Sequence, residues 1–207
     1  MSLIYPMKYD PEGPGYRYLS WVSEQGLWHA GRDYNFGVGN QDLGQDVLCP
    51  TWARVLYVSS VGENGGLGLY VLLQHPHNNA FTRYMHLQDS SVLAGQILSP
   101  GQIFAHVGKR GTRSSHLHFE VLNDKGLQFI MNSARPYGRY TKGLTKAQVQ
   151  SMWIDPDHWL TTQEHYVGKD AEQRLSQVEN ALKWAVPPRR NMLLRLAERL
   201  KKADHVV

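Results

Sequence analysis

His116-Leu117-His118-Phe119-Glu120 opens a run that continues through Val121 and Leu122. Polar and apolar side chains alternate along it, which predicts a β-strand with residues i and i+2 on one face. His116 and His118 then stand side by side, with about 7 Å between their Cα atoms. Two imidazoles at that spacing can share one small target, such as a metal ion and its bound water. Short apolar runs cut by Gly and Pro recur through residues 26–122, the pattern of a β-rich domain. Strands are predicted at 54–60, 67–74, 82–87, 102–107 and 116–122, with a hairpin turn at Glu63-Asn64-Gly65-Gly66.

Further candidates for that target lie upstream. In His29-Ala30-Gly31-Arg32-Asp33 the His and the Asp are four apart. On a straight strand they would be separated by about 13 Å, so they meet only on a helix or across a turn, and Gly31 suits a turn. A third histidine lies in the strand-like Tyr84-Met85-His86-Leu87. His29, Asp33 and one downstream histidine make an N/N/O set that suits zinc and leaves a fourth position for water, the mark of a catalytic site. Two histidines remain for proton handling and charge stabilisation.

With these residues in this order, the chain resembles the lysostaphin-type zinc endopeptidases, which cut peptide bonds in bacterial peptidoglycan. The likeness extends over roughly residues 26–160. It takes in HAGRD at 29–33, the turn Gly44-Gln45-Asp46-Val47-Leu48-Cys49-Pro50 and the Gly-Gln pairs at 95–96 and 101–102. It continues through Gly108 and Gly111 into the HLHFEV run, and closes at Asp155-Pro156 with Trp159-Leu160. The resemblance implies a mainly β, antiparallel peptidase domain of sheet or barrel-sandwich type with an open groove. It implies that His29, Asp33 and His118 bind Zn2+, while His86 and His116 polarise the water and steady the oxyanion. Zinc would lower the pKa of its water to about 7. One departure is visible: Ser114-Ser115 stand where the family often has Gly-Pro. The expected activity is hydrolysis of cross-links or stem peptides of peptidoglycan. The competing expectation is an inactive structural or wall-binding module of a phage tail with the same fold. All five functional positions are filled, which favours the enzyme. A glycan-cleaving alternative would need a paired-carboxylate site, and none stands out.

The chain of 207 residues is long enough to bury a core. It divides into a peptidase domain over 1–165, with a Pro-, Gly- and Tyr-rich arm at 1–25, and a helical appendage over 166–207. No run of about 18 apolar residues predicts a membrane span. The first residues lack the basic start and apolar stretch of a secretory signal. The expectation is therefore synthesis in the cytoplasm and action at the cell wall by another route, as for a phage lysin or a virion-borne enzyme. Cys49, the only cysteine, is read as a small buried side chain. Residues 123–150 read as a polar, aromatic insertion beside the groove, with a short helix at 145–153 capped by Thr145.

Beyond about residue 168 the pattern turns helical, with Leu175, Val178, Leu182 and Ala185 on one seam and a second seam from Leu193 to Ala203. Pro187-Pro188 separates the two. Residues 189–207 hold six basic side chains against Glu198 and Asp204, a balance of +4 that equals the net charge of the whole chain. The basic character thus belongs to the tail, and no nucleic-acid partner is expected. The tail helix either binds an anionic envelope surface or packs its apolar face on its neighbour or a second copy. His75, His77 and His106 are read as edge or loop residues. Glu120 is either a support for a ligand imidazole or a solvent-facing strand residue. Tyr84 is read as packing, and Tyr34, Phe36, Tyr137 and Tyr140 as aromatics flanking the groove.

Overall fold

A computed structural model describes residues 3–11, 13–59, 66–75, 78–132 and 141–163. The predicted tail hairpin, the turn tip at 63–65, His77, Tyr137 and Tyr140 lie outside the described residues. The fold is mainly β and antiparallel, as expected. A two-stranded hairpin pairs β1 (Trp21–Val22) with β2 (Leu27–Trp28). The other strands form one branched sheet: β3 (Arg32–Tyr34), β4 (Asp46–Leu48), β5 (Ala53–Val58), β6 (Leu69–His75), β7 (Ala80–Ser90), β8 (Ile97–Leu98), β9 (Ile103–Val107), β10 (Leu117–Leu122) and β11 (Trp153–Ile154). The helices are α1 (Asp124–Asn132), α2 (Lys146–Met152) and α3 (Pro156–Thr161). Among the described residues no helix is long and apolar enough to cross a membrane.

Alternation along the strands gives the sheet two apolar faces. Leu117, Phe119 and Val121 of β10 join Tyr84 and Leu87 of β7 and Val71 and Leu73 of β6 in one core. Leu122, Phe81, Met85 and Leu72 point the other way, into a second core closed by Leu127 of α1, Val149 of α2 and Trp153. Burying each such side chain contributes about 1.5–3 kcal/mol. His118 and Glu120 fall on the same side of β10 as Leu122, at the end of the second face that the helices leave open.

β7 joins the two halves of the sheet. Its first half pairs with β10, from Phe81 opposite Leu122 to Met85 opposite His118. Its second half pairs with β9, from Leu87 opposite Val107 to Ser90 opposite Ala105. His86 sits where the strand changes partner and adopts φ 64°, a left-handed conformation uncommon outside glycine.

Thr145 caps α2 as predicted, and Gln148 completes a capping box. Two expectations need correction. The span read as a polar insertion begins with helix α1, started by the Asn123 side chain, which accepts from the Gly126 N–H; Leu127 anchors it in the second core. His75 is no edge residue. It is fully buried, 2.8 Å from the Thr82 hydroxyl and 3.1 Å from the Trp52 carbonyl. Those partners satisfy both ring nitrogens, so burial costs it little.

Candidate metal centre

His29 and Asp33 flank the short link from β2 into β3. Gly31 lies between them against β10, where a Cβ would stand 2.4 Å from the Phe119 carbonyl oxygen and 2.9 Å from His118 Nε2. Only glycine allows that approach. β3 pairs with β10 so that Asp33 lies opposite His118. The register therefore brings together residues 85 positions apart.

The three expected ligands converge. Asp33 Oδ1 is 2.7 Å from His118 Nδ1 and 3.2 Å from His29 Nε2, and the two nitrogens are 3.0 Å apart. Tetrahedral zinc with bonds of about 2.0–2.1 Å holds its ligand atoms roughly 3.3–3.4 Å apart. The set fits zinc after movements of well under an ångström. Among the described residues it is the one group of histidine, cysteine and acidic side chains whose donor atoms gather closely enough to hold a metal.

His86 and His116 stand beside this triad. Their rings are 4.7 Å apart, the His86 ring is 6.0 Å from that of His118, and His116 Nε2 is 3.8 Å from Asp33 Oδ1. Each of the four histidines donates one ring N–H to a fixed acceptor. His29 Nδ1–H donates to the Arg17 carbonyl (3.2 Å) and His118 Nε2–H to Glu120 Oε1 (3.1 Å). His86 Nδ1–H donates to the Arg110 carbonyl (2.9 Å) and His116 Nδ1–H to the Ser114 carbonyl (3.1 Å). Such partners fix tautomer and ring orientation.

Electrostatics follow from burial and neighbours. Burial alone would push the Asp33 carboxyl up, but the charge on His29 and hydrogen bonds from His118 and His29 hold it well below the usual carboxylate range. Burial pushes His86 down to about 3, reinforced by His116 and His118; it is a neutral imidazole at pH 7. Burial opposes charge on His118, yet hydrogen bonds to Asp33 and Glu120 and their charges raise it to about 9.

Glu120 is buried rather than solvent-facing, and it supports the His118 imidazole. Its Oε2 accepts from Arg83 Nε (3.0 Å), Arg83 Nη2 (2.5 Å) and Trp153 Nε1 (3.1 Å). Arg83 and Trp153 were not anticipated, although a lone charge inside the apolar run 80–87 was a signal. The backbone carbonyls that hold His29, His86 and His116 leave no trace in sequence. The Ser114-Ser115 departure also finds its reason: the Ser115 hydroxyl donates to buried Asp42 and its N–H to Asn40 Oδ1 (2.9 Å), so side-chain bonds shape this loop.

The centre opens into a groove of about 810 Å³, lined among others by Glu24, Phe36, Met85, Thr112 and Arg113. Tyr34 does not flank it. That ring is fully buried, and its hydroxyl donates to Asp157 of α3 (2.7 Å). Tyr84 packs against Phe104 and Phe119, as read. His106 is half exposed and pairs with Asp89 at 2.7 Å.

A curated relative, an uncharacterized metalloprotease of Haemophilus influenzae, is 36% identical over 93 residues, 44% of this chain. The match spans only 18% of that protein. Similar solved structures include the catalytic domain of the antimicrobial peptidase lysostaphin from Staphylococcus simulans, with TM-score 0.48, 20% identity, and coverage of 71% of this chain and 90% of that one. Another is a zinc containing peptidase from Vibrio cholerae, with TM-score 0.45, 28% identity, and coverage of 56% and 35%. Residues 29–129, which supply all five histidine and aspartate side chains of the centre, match the profile of Peptidase family M23.

Proposed function

We propose that this protein is a zinc-dependent endopeptidase that hydrolyses cross-links or stem peptides of bacterial peptidoglycan. The observation that carries the reading is the convergence of His29 Nε2, Asp33 Oδ1 and His118 Nδ1, with His86 and His116 beside them at one groove. The two histidines and one aspartate would hold the metal, which when bound supplies a Lewis acid and a water acidic enough to be hydroxide near pH 7.

The chain's own groups handle the rest. His86 has its proton on Nδ1, committed to the Arg110 carbonyl, so its Nε2 is free to accept one. His116, when protonated at Nε2, donates toward negative charge developing on a scissile carbonyl oxygen, a contribution typical of oxyanion donors. Asp33 stays ionised and Glu120 holds His118 in position. The proposal includes action at the bacterial cell wall, in the manner of a phage lysin.

Digestion of purified walls tests it. Release of new amino groups without new reducing sugar ends is expected. Reducing ends without amino groups would reject the peptidase reading, and a zinc-loaded protein that binds walls and releases neither would favour the inactive module.

A further inference from the structure

Two of the three ligands are held by a segment that precedes the family match. Main-chain groups of Asp10, Tyr16 and Leu19 hydrogen-bond to the stretch 29–35, which carries His29 and Asp33. The Asp10 N–H donates to the Asn35 carbonyl (2.8 Å), the Asp33 N–H to the Tyr16 carbonyl (2.9 Å), and the Leu19 N–H to the His29 carbonyl (2.9 Å). Met7 is buried, and Tyr5 and Tyr9 pack on each other and on Tyr34. This docking delivers two main-chain groups to the centre. The Tyr16 N–H donates to Asp33 Oδ2 at 3.2 Å, on the oxygen that faces away from the histidines. The next residue, Arg17, offers the carbonyl that accepts from His29 Nδ1 at 3.2 Å.

Each contact does something a ligand needs. The Tyr16 N–H occupies Oδ2 and stops the carboxylate from rotating, so Oδ1 alone is presented to the metal. The Arg17 carbonyl holds the His29 proton on Nδ1, so the Nε2 lone pair faces the metal. Gly15 makes the approach possible. Its φ is 133°, and a Cβ there would stand 2.6 Å from Asn35 Nδ2, 2.9 Å from the Asp33 carbonyl oxygen and 3.0 Å from Asp33 Cβ. A side chain at this position must lift the arm off Asp33.

We infer that the N-terminal arm is a working part of the metal centre: the Tyr16 N–H and the Arg17 carbonyl position Asp33 and His29 and thereby set metal affinity. The inference rests on the zinc reading above. It assigns positioning roles to backbone groups outside residues 29–129, so the matched segment alone does not carry the whole centre.

The test measures zinc affinity of the full chain by competition with a chelator, beside the melting temperature of the metal-free protein. Gly15→Ala displaces the arm. A backbone ester at Tyr16, made by incorporating the α-hydroxy acid, deletes only the N–H. Loss of such outer supports weakens metal binding by about 10–100-fold, and that is the expected result for both. Lys8→Ala, on the same arm with its ammonium over Phe36, should stay within about threefold of wild type. The cobalt(II)-loaded ester variant should also show shifted visible absorption bands, because Asp33 is free to turn. If Gly15→Ala fails to fold, the ester variant decides. Zinc affinity within about threefold of wild type in the folded ester variant, with unchanged cobalt bands, overturns the inference while leaving the metal centre intact. A wild-type chain that holds no zinc overturns both.

Discussion

Glu120→Gln is the substitution whose consequences can be worked out most fully. Every partner of the Glu120 carboxylate is a donor. Oε1 accepts from His118 Nε2, and Oε2 accepts from Arg83 Nε, Arg83 Nη2 and Trp153 Nε1. A carboxylate meets donors on both oxygens, but an amide has one oxygen and one NH2. Whichever way the substituted amide turns, its NH2 faces a donor. If the NH2 faces Arg83, a buried guanidinium loses this acceptor. If it faces His118, the imidazole loses the bond that sets its tautomer. The charge also vanishes, although Arg83 and Glu120 are each under 5% exposed. Burial alone would raise the Glu120 carboxyl, but Arg83, His118 and Trp153 hold it down at about 2, so the native group is ionised at neutral pH. Breaking a buried pair by removing one partner costs about 3–5 kcal/mol. For a chain of this length each kcal/mol shifts Tm by about 2–4 °C, which gives a fall of roughly 6–20 °C. Zinc affinity should drop by about 10–100-fold. Calorimetry of the metal-free protein and chelator competition measure the two effects separately. The double variant Arg83→Met/Glu120→Leu removes both charges and should recover part of the stability but none of the zinc affinity. A Glu120→Gln protein that melts within about 3 °C of wild type and binds zinc as tightly would refute the reasoning.

Asp33→Ala removes the oxygen ligand and should abolish both zinc content, read by elemental analysis, and turnover. His86→Ala and His116→Ala should keep most of the zinc while losing turnover by about 10² or more in a peptide-cleavage assay; loss of metal from either would reassign it as a ligand. His86→Gly should melt above His86→Ala, because a left-handed backbone costs an L-residue roughly 1–2 kcal/mol, and both should be equally inactive. Burial pushes the Cys49 thiol from 9.0 up to about 12, favouring the neutral form in the fold. Its contribution to stability is thus intact below pH 9 and fades as pH climbs toward 12. Iodoacetamide should label Cys49 at about pH 8 at least ~100-fold more slowly in native protein than in urea.

Much of the β-rich fold was legible along the chain. Alternation marked β10, because a strand between two environments requires it, while short apolar runs cut by Gly and Pro marked β5, β6, β7 and β9. The spacing of His116 and His118 and the His29–Asp33 pair were local features, and the family resemblance assigned their roles. Local signals also sufficed for Thr145, since a cap needs only residues within one turn. Helix α1 escaped although Leu127, Ile130 and Met131 fall at i, i+3 and i+4 and pack on the second core, because a stripe confined to nine residues is too short to stand out as a period. His75 was misplaced because nothing local indicates that Trp52 and Thr82 will satisfy both its nitrogens.

The sequence by itself therefore determined which side chains are candidates for chemistry here, since side-chain type and strand period are local properties. What only the tertiary structure decided is how they are aimed. The register of β3 on β10 sets Asp33 against His118, and the change of partner along β7 turns His86 into the left-handed region. Main-chain groups of Tyr16, Arg17, Arg110 and Ser114 then hold the carboxylate and the rings. Every residue carries the same N–H and C=O apart from proline, so no residue type records which of them will support a metal ligand; only the path of the folded chain does.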